Sequence, residues 1–271
     1  MTNSPAPRPT LVLCELRDSG VPRVESYSPF CLKAHRALQL CGLPYERRHG
    51  SRPSDFGHLN PAEQVPVLLV GDEAVADSTR IVSRLEALSG GALSRGLDAR
   101  ASAEAFLWEE FADSALYGFV VASRWADDDN WTRTKRAYFA SMPALVRAVL
   151  PGRLRARVVE GLRARDVIRP NLDRCWENFE HVLDRLEVRA PDRGYWLGDA
   201  PSRADVAIFA QLFSFRTPLT PRQAERVALR SRLSTWLDRV DDACLHAAIR
   251  TPARDAETDG VIPAMLFATI G

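Results

Sequence analysis

Ser28-Pro29-Phe30-Cys31 places a hydroxyl and a thiol one helical turn apart at what reads as a helix start. Ser28 has the short polar side chain wanted at an N-cap, and Pro29 follows at the first helical position, where a missing N–H costs nothing. Phe30, Ala34, Ala37, Leu38 and Cys41 then recur at helical spacing. A helix start offers free N–H groups and the positive end of a dipole, so it suits an anion, a thiolate included. Cys31 itself reads as a small core residue. Two other stretches carry polar groups at element ends. In Asn60-Pro61-Ala62-Glu63-Gln64-Val65-Pro66-Val67-Leu68 a proline stands directly before an apolar strand. Asp77-Ser78 precede a helical stripe of Ile81, Leu85 and Leu88, and either residue can cap that helix.

Other chemistries find no support. His35, His49 and His58 lack metal-ligand spacing and read as surface or loop residues, so no metal is expected. The five cysteines are odd in number and form no C-x-x-C pair, which argues against a disulfide framework or a zinc site and points to a reducing cytoplasm. No G-x-S-x-G, Walker loop or G-x-G-x-x-G occurs. A formal net charge of +1 sets up no global field toward nucleic acid or membrane. No apolar run approaches the length of a membrane span. Hydrophobic and charged shares of 46% and 26% are those of a globular chain.

The elements that must position these residues follow a clear order. Thr10 to Leu16 reads as a strand, the run from Ser28 as a helix, and Pro44 to Arg48 as a second strand. Pro53 to Leu59 reads as a short helix or loop. Val67 to Val70 and Ala74 to Ala76 flank Gly71-Asp72-Glu73 as a hairpin. Strand, helix, strand, then hairpin and helix is a βαβ-ββα order with its functional end at Ser28. Ser89 to Gly96 is small and flexible and marks a linker. Beyond it strand signals vanish. Ala101 to Ala122 reads as a helix with Trp108, Phe111, Ala112, Ala115, Phe119 and Ala122 on one face. Arg174 to Leu186 and Leu233 to Ile249 are further helices. Ala204 to Phe213 is apolar on nearly every side and should be the buried central helix, opened by a Ser202/Asp205 capping box. Met1 to Pro9 is polar and proline-rich and reads as a short disordered tail.

Together these features resemble the glutathione S-transferase superfamily. Ser28-Pro29-Phe30-Cys31 resembles the S-P-F or C-P-F-C helix start of transferases and glutaredoxins. Asn60-Pro61 with Val65-Pro66-Val67-Leu68 resembles their N-P … V-P-V-L, Asp77-Ser78 their acidic-Ser pair, and Gly198-Asp199-Ala200-Pro201-Ser202-Arg203-Ala204-Asp205 their C-terminal capping motif. The implied architecture is an α+β thioredoxin-like domain over residues 8–88, a linker over 89–98, and an all-helical domain over 99–271 with an Arg-rich insert at about 131–170. Arg124-Trp125-Ala126-Asp127-Asp128-Asp129-Asn130-Trp131 and that insert resemble the metaxin-like, failed-axon-connections branch.

The resemblance implies glutathione as co-substrate. Asp77 and Ser78 would hold its γ-glutamyl end, Val65 before Pro66 its cysteinyl part through the backbone, and Gln64 its glycyl end. Ser28 would orient the thiolate as the catalytic residue, because a free thiol with a pKa of about 8.5 is brought toward neutrality by a helix start and a hydroxyl. The implied reaction is attack on a small hydrophobic electrophile, as in detoxification. Its pocket would lie between the domains, where Glu109, Asp113 and Tyr117 are expected at the surface. A homodimer is usual in the superfamily; nucleic acid is not an expected partner. The rival reading is a non-catalytic metaxin-like module with weak or no glutathione binding, and a third is thiol transfer through Cys31. The insert from Pro143 to Arg169 carries seven arginines against Glu160 and Asp166, with Leu154, Val158 and Leu162 as an apolar stripe. It reads as an amphipathic helix docked on its own domain, ahead of a contact with an acidic surface or anionic lipid.

Overall fold

The strand β1 (Leu11–Leu16) is buried along its whole length and forms the middle of the sheet. In this computed structural model residues 9–140, 142–250 and 254–255 are described. The expected tail Met1–Pro9 falls, apart from Pro9, outside them. From β1 the chain turns into α1 (Pro29–Leu40) and returns as β2 (Glu46–Gly50), parallel to β1 with Glu15 opposite His49. A short 3₁₀ turn over Pro53–Phe56 leads toward β3 (Val67–Val70) and β4 (Glu73–Ala76), antiparallel to one another across Gly71. α2 (Ser78–Ser89) closes this half. The strand order is β4-β3-β1-β2, with the two-residue β5 (Arg254–Asp255) parallel to β2. This is the βαβ-ββα order read from the sequence and the thioredoxin-like arrangement that the resemblance implied.

Side chains alternate across the sheet, as a pleated strand requires. Leu11 and Leu13 face Ala34, Ala37 and Leu38 of α1 and Ile81, Val82 and Leu85 of α2. Val12 and Cys14 face Phe56 on the other side. At the end of β2, a Cβ on Gly50 would lie 2.5 Å from the Phe56 ring. Gly50→Ala should therefore lower the unfolding free energy by about 1–3 kcal/mol through overpacking, as read by urea denaturation.

The second half is helical: α3 (Ala99–Phe111), α4 (Tyr117–Val121), α5 (Asp128–Phe139), α6 (Ala144–Ala164), α7 (Leu172–Arg189), α8 (Arg203–Phe213), α9 (Pro221–Ala228) and α10 (Ser231–Arg250). α3 and α4 are joined by a wide π turn over Ala112–Leu116, and a second π turn spans Ala122–Ala126. These turns correct the face read from sequence. Ala115, expected inside, is exposed, and Leu116 is buried in its place. A π turn adds a residue to the helical repeat and rotates everything after it.

α8 is the buried axis, with every residue from Ala204 to Phe213 inside. Its capping box forms as expected. The Asp205 carboxylate accepts from the Ser202 N–H (2.9 Å), the Trp196 N–H (2.7 Å) and the Trp236 indole (3.1 Å). Burial pushes this carboxyl up, and those donors pull it back.

α1 belongs to both halves. It packs on the sheet and α2 on one side, and on α8 and α10 on the other. Its polar residues Lys33, His35, Arg36 and Gln39 are consequently buried along with the apolar stripe.

Candidate functional site

α1 crosses between two parallel strands, so its first turn starts at the C-terminal end of β1. Cys14 pairs with Val67, and Val67 pairs with Ala76. The start of β3 and the end of β4 therefore lie at that same end of the sheet. Topology thus gathers Ser28, the Gln64–Pro66 turn and Asp77-Ser78 at one end of the domain.

At the first of these, Ser28 is the N-cap of α1, with φ −78° and ψ 118°. Its Oγ accepts from the Cys31 N–H at 3.4 Å, and its own N–H donates to Ser26 Oγ at 3.2 Å. The residue is 1% exposed. The approach to α1 is fastened to the helical half. Arg124, itself buried, donates to the Tyr27 carbonyl at 2.5 Å and to the Ser214 carbonyl at 2.9 Å. Tyr27 packs edge-on against Tyr138, and Phe30 lies 4.6 Å from the Tyr117 ring. Cys31 is fully buried, as a core residue would be. Burial pushes its thiol far above the usual range, against the opposing hydroxyls of Ser28 and Ser26. Cys14 is raised by burial as well, to about 11.

At the second, the Val65–Pro66 bond is cis, Val65 is half-buried and Gln64 is exposed. Asn60 holds this turn by donating to the Gln64 carbonyl (3.0 Å) and accepting from the Ala62 N–H (3.1 Å). Asp77 is exposed at φ 78° and caps α2, accepting from the Thr79 and Arg80 N–H groups at 3.0 and 3.1 Å. Ser78, the first residue of α2, is 5% exposed.

The pocket-facing residues need correction. Glu109, expected at the surface, is fully buried, and Asp113 and Tyr117 are half-buried. The cause is Lys33, which α1 carries into the domain junction. Its ammonium, also fully buried, meets Glu109 at 2.7 Å, Asp113 at 2.5 Å and the Thr79 hydroxyl at 3.1 Å. Arg203 reaches Glu109 from the other side at 2.7 Å. Burial raises the Glu109 carboxyl, and the Lys33 and Arg203 charges oppose it. Glu109 and Asp113 are four apart on one face, a spacing that could have signalled a shared cation.

His35 also needs correction: it is fully buried, not a surface residue. It bonds Glu15 at 2.9 Å and the Tyr45 hydroxyl at 2.7 Å, and Arg47 joins Glu15 at 2.7 Å and Asp18 at 2.8 Å. The signal was a glutamate inside an otherwise apolar strand. Burial alone would raise Glu15, yet His35, His49 and Arg47 outweigh it and hold the carboxyl well below its usual range. Among the described residues, no cluster of histidine, cysteine or acidic side chains is arranged to hold a metal ion. A groove of about 580 Å³ lies between α3 and α7, lined mainly by Leu107, Trp108, Phe111, Val182 and Leu186. None of its lining comes from the Ser28 end of the sheet.

Comparison with known proteins agrees with this geometry. The pattern of the glutathione S-transferase N-terminal domain matches residues 29–130, and that of the C-terminal domain matches residues 169–239. The chain belongs to the glutathione S-transferase superfamily. Within it, the likeness runs to the metaxin branch. A metaxin-2 homologue of Caenorhabditis elegans is 24% identical over 69% of this chain and 80% of its own length. Metaxin-1 of Mus musculus is 23% identical over 75% of this chain and 64% of its own length. Among solved structures, the beta-etherase LigF from Sphingobium sp. strain SYK-6 superposes with a TM-score of 0.57 at 21% identity, covering 89% of this chain and all of that one.

Proposed function

We propose that this chain is a non-conjugating binding module built on the glutathione transferase fold. One observation carries the reading: Ser28, the residue expected from the resemblance to orient a bound thiolate, is 1% exposed and accepts from the Cys31 N–H. A hydroxyl in that position caps its own helix and meets no incoming sulfur. The similarity to metaxins supports the same reading. A second reading, a glutathione-conjugating enzyme, is favoured by the clustering of Gln64, Val65, Pro66, Asp77 and Ser78 at the end of the sheet where α1 begins. In that reading these residues hold glutathione and the electrophile enters from the domain junction.

Calorimetry with glutathione, paired with turnover of a chloronitrobenzene, separates the two. The module gives weak or silent titrations and turnover at the uncatalysed rate, unchanged in Ser28→Ala. Turnover above that rate, falling roughly a hundredfold in Ser28→Ala as for loss of a donor to a developing anion, would establish the enzyme instead.

A further inference from the structure

Charge is unevenly distributed along the chain. Residues 131–165 hold nine basic side chains and one acidic, although the whole protein carries only +1. Most of this segment is α6, and α6 is only half docked. Its second part buries Pro151, Val158, Gly161 and Leu162, and the expected stripe there packs inward. Its first two turns do not. Every residue from 143 to 149 is exposed, with Leu145 at 87%, Val149 at 50% and Val146 at 42%. Arg147 is exposed within this tip, Arg153 and Arg157 are exposed directly behind it, and Lys135 and Arg136 are exposed near the end of α5.

We propose that the first two turns of α6 insert as a wedge into the surface of an anionic phospholipid membrane. Leu145, Val146 and Val149 would enter the acyl boundary, with Arg147, Arg153 and Arg157 at the level of the headgroups. The form of the tip favours lipid over an acidic protein. Leu145, Val146 and Val149 share one face of the tip, within about 100° of arc, and basic side chains stand beside and behind them, the pattern of an interfacial helix on an anionic surface. No helix among the described residues is long and apolar enough to cross a membrane.

The test is co-sedimentation of the full chain with vesicles of phosphatidylcholine alone, or with one third phosphatidylserine. The chain sediments with the anionic vesicles and stays in solution with the neutral ones, and added salt releases it. The pair Arg153→Glu and Arg157→Glu lowers partitioning by roughly thirtyfold or more, since each basic residue near the surface contributes about a fivefold factor. The pair Leu145→Glu and Val149→Glu lowers it by at least about tenfold. Both pairs sit on exposed positions, so unchanged thermal melts show that folding is intact. Absence of sedimentation, equal sedimentation with neutral vesicles, or binding that survives Leu145→Glu with Val149→Glu overturns the wedge. So does a melt-neutral Leu145→Glu and Val149→Glu variant that only splits a dimer in gel filtration.

Discussion

Replacing Lys33 by methionine lowers the unfolding free energy by about 3–5 kcal/mol at neutral pH. Methionine keeps most of the stem, so little packing is lost. What is lost is the cation shared by Glu109 and Asp113, at 2.7 and 2.5 Å, with Lys33 and Glu109 themselves closed to water. Arg203 remains beside Glu109, but it is partly exposed and its charge is partly screened. The Glu109 carboxyl is already pushed up by burial, and without Lys33 it moves further up. A carboxyl raised in the folded state favours folding while protonated and disfavours it once ionised. The deficit of Lys33→Met is therefore largest at high pH and shrinks as the buffer is acidified, which urea denaturation at several pH values reads directly. Adding Glu109→Leu should restore most of the loss, because a buried pair replaced by apolar groups is often close to neutral. A single-variant deficit below about 1 kcal/mol would show that water reaches the junction.

Glu15→Gln produces a loss of similar size, about 3–5 kcal/mol, by a different route. Glu15 is the acceptor for both His35 and Arg47 inside the sheet domain, and the glutamine leaves the Arg47 guanidinium without its inner counter-charge. Here the sign with pH is reversed. The Glu15 carboxyl is held well below its usual range in the fold, and Glu25, held by Arg36, is lowered too. Each stabilises the fold above an ordinary carboxyl pKa of about 4.3 and loses that contribution as the pH falls through it toward the folded value. Melting temperatures of the parent should therefore fall steeply in acid. Those of Glu15→Gln begin lower and fall less, so the two curves converge. Parallel curves would mean that Glu15 is not the group that titrates. Against a total stability of about 5–15 kcal/mol, either change removes a large part of the fold's margin.

What was legible in the sequence is what neighbours in the chain decide. The Ser28 cap, the hairpin at Gly71 and the Ser202–Asp205 capping box depend on residues within a few positions of one another, and all three formed. The burial of Lys33 depends on Asp113, eighty positions away, and that of His35 on Glu15 in another element. The approach to Ser28 is fastened by a bond from Arg124 to the Tyr27 carbonyl across ninety-seven positions. No helical or strand period carries such information. The two π turns were hidden for a related reason: they leave residue types unremarkable and only change which of them face inward.

The sharing of α1 reaches beyond stability. On the strand pattern alone, the chain looks like two modules joined by a dispensable connector. Yet Leu32 of α1 sits in the helical core, Val206 of α8 sits in the sheet core, and Lys33 is neutralised by acids from beyond the connector. A chimaera spliced at residues 89–98 would bring together a cation and a socket that had never been matched. Exchanging either half therefore requires matched changes at Lys33 and at Glu109 and Asp113.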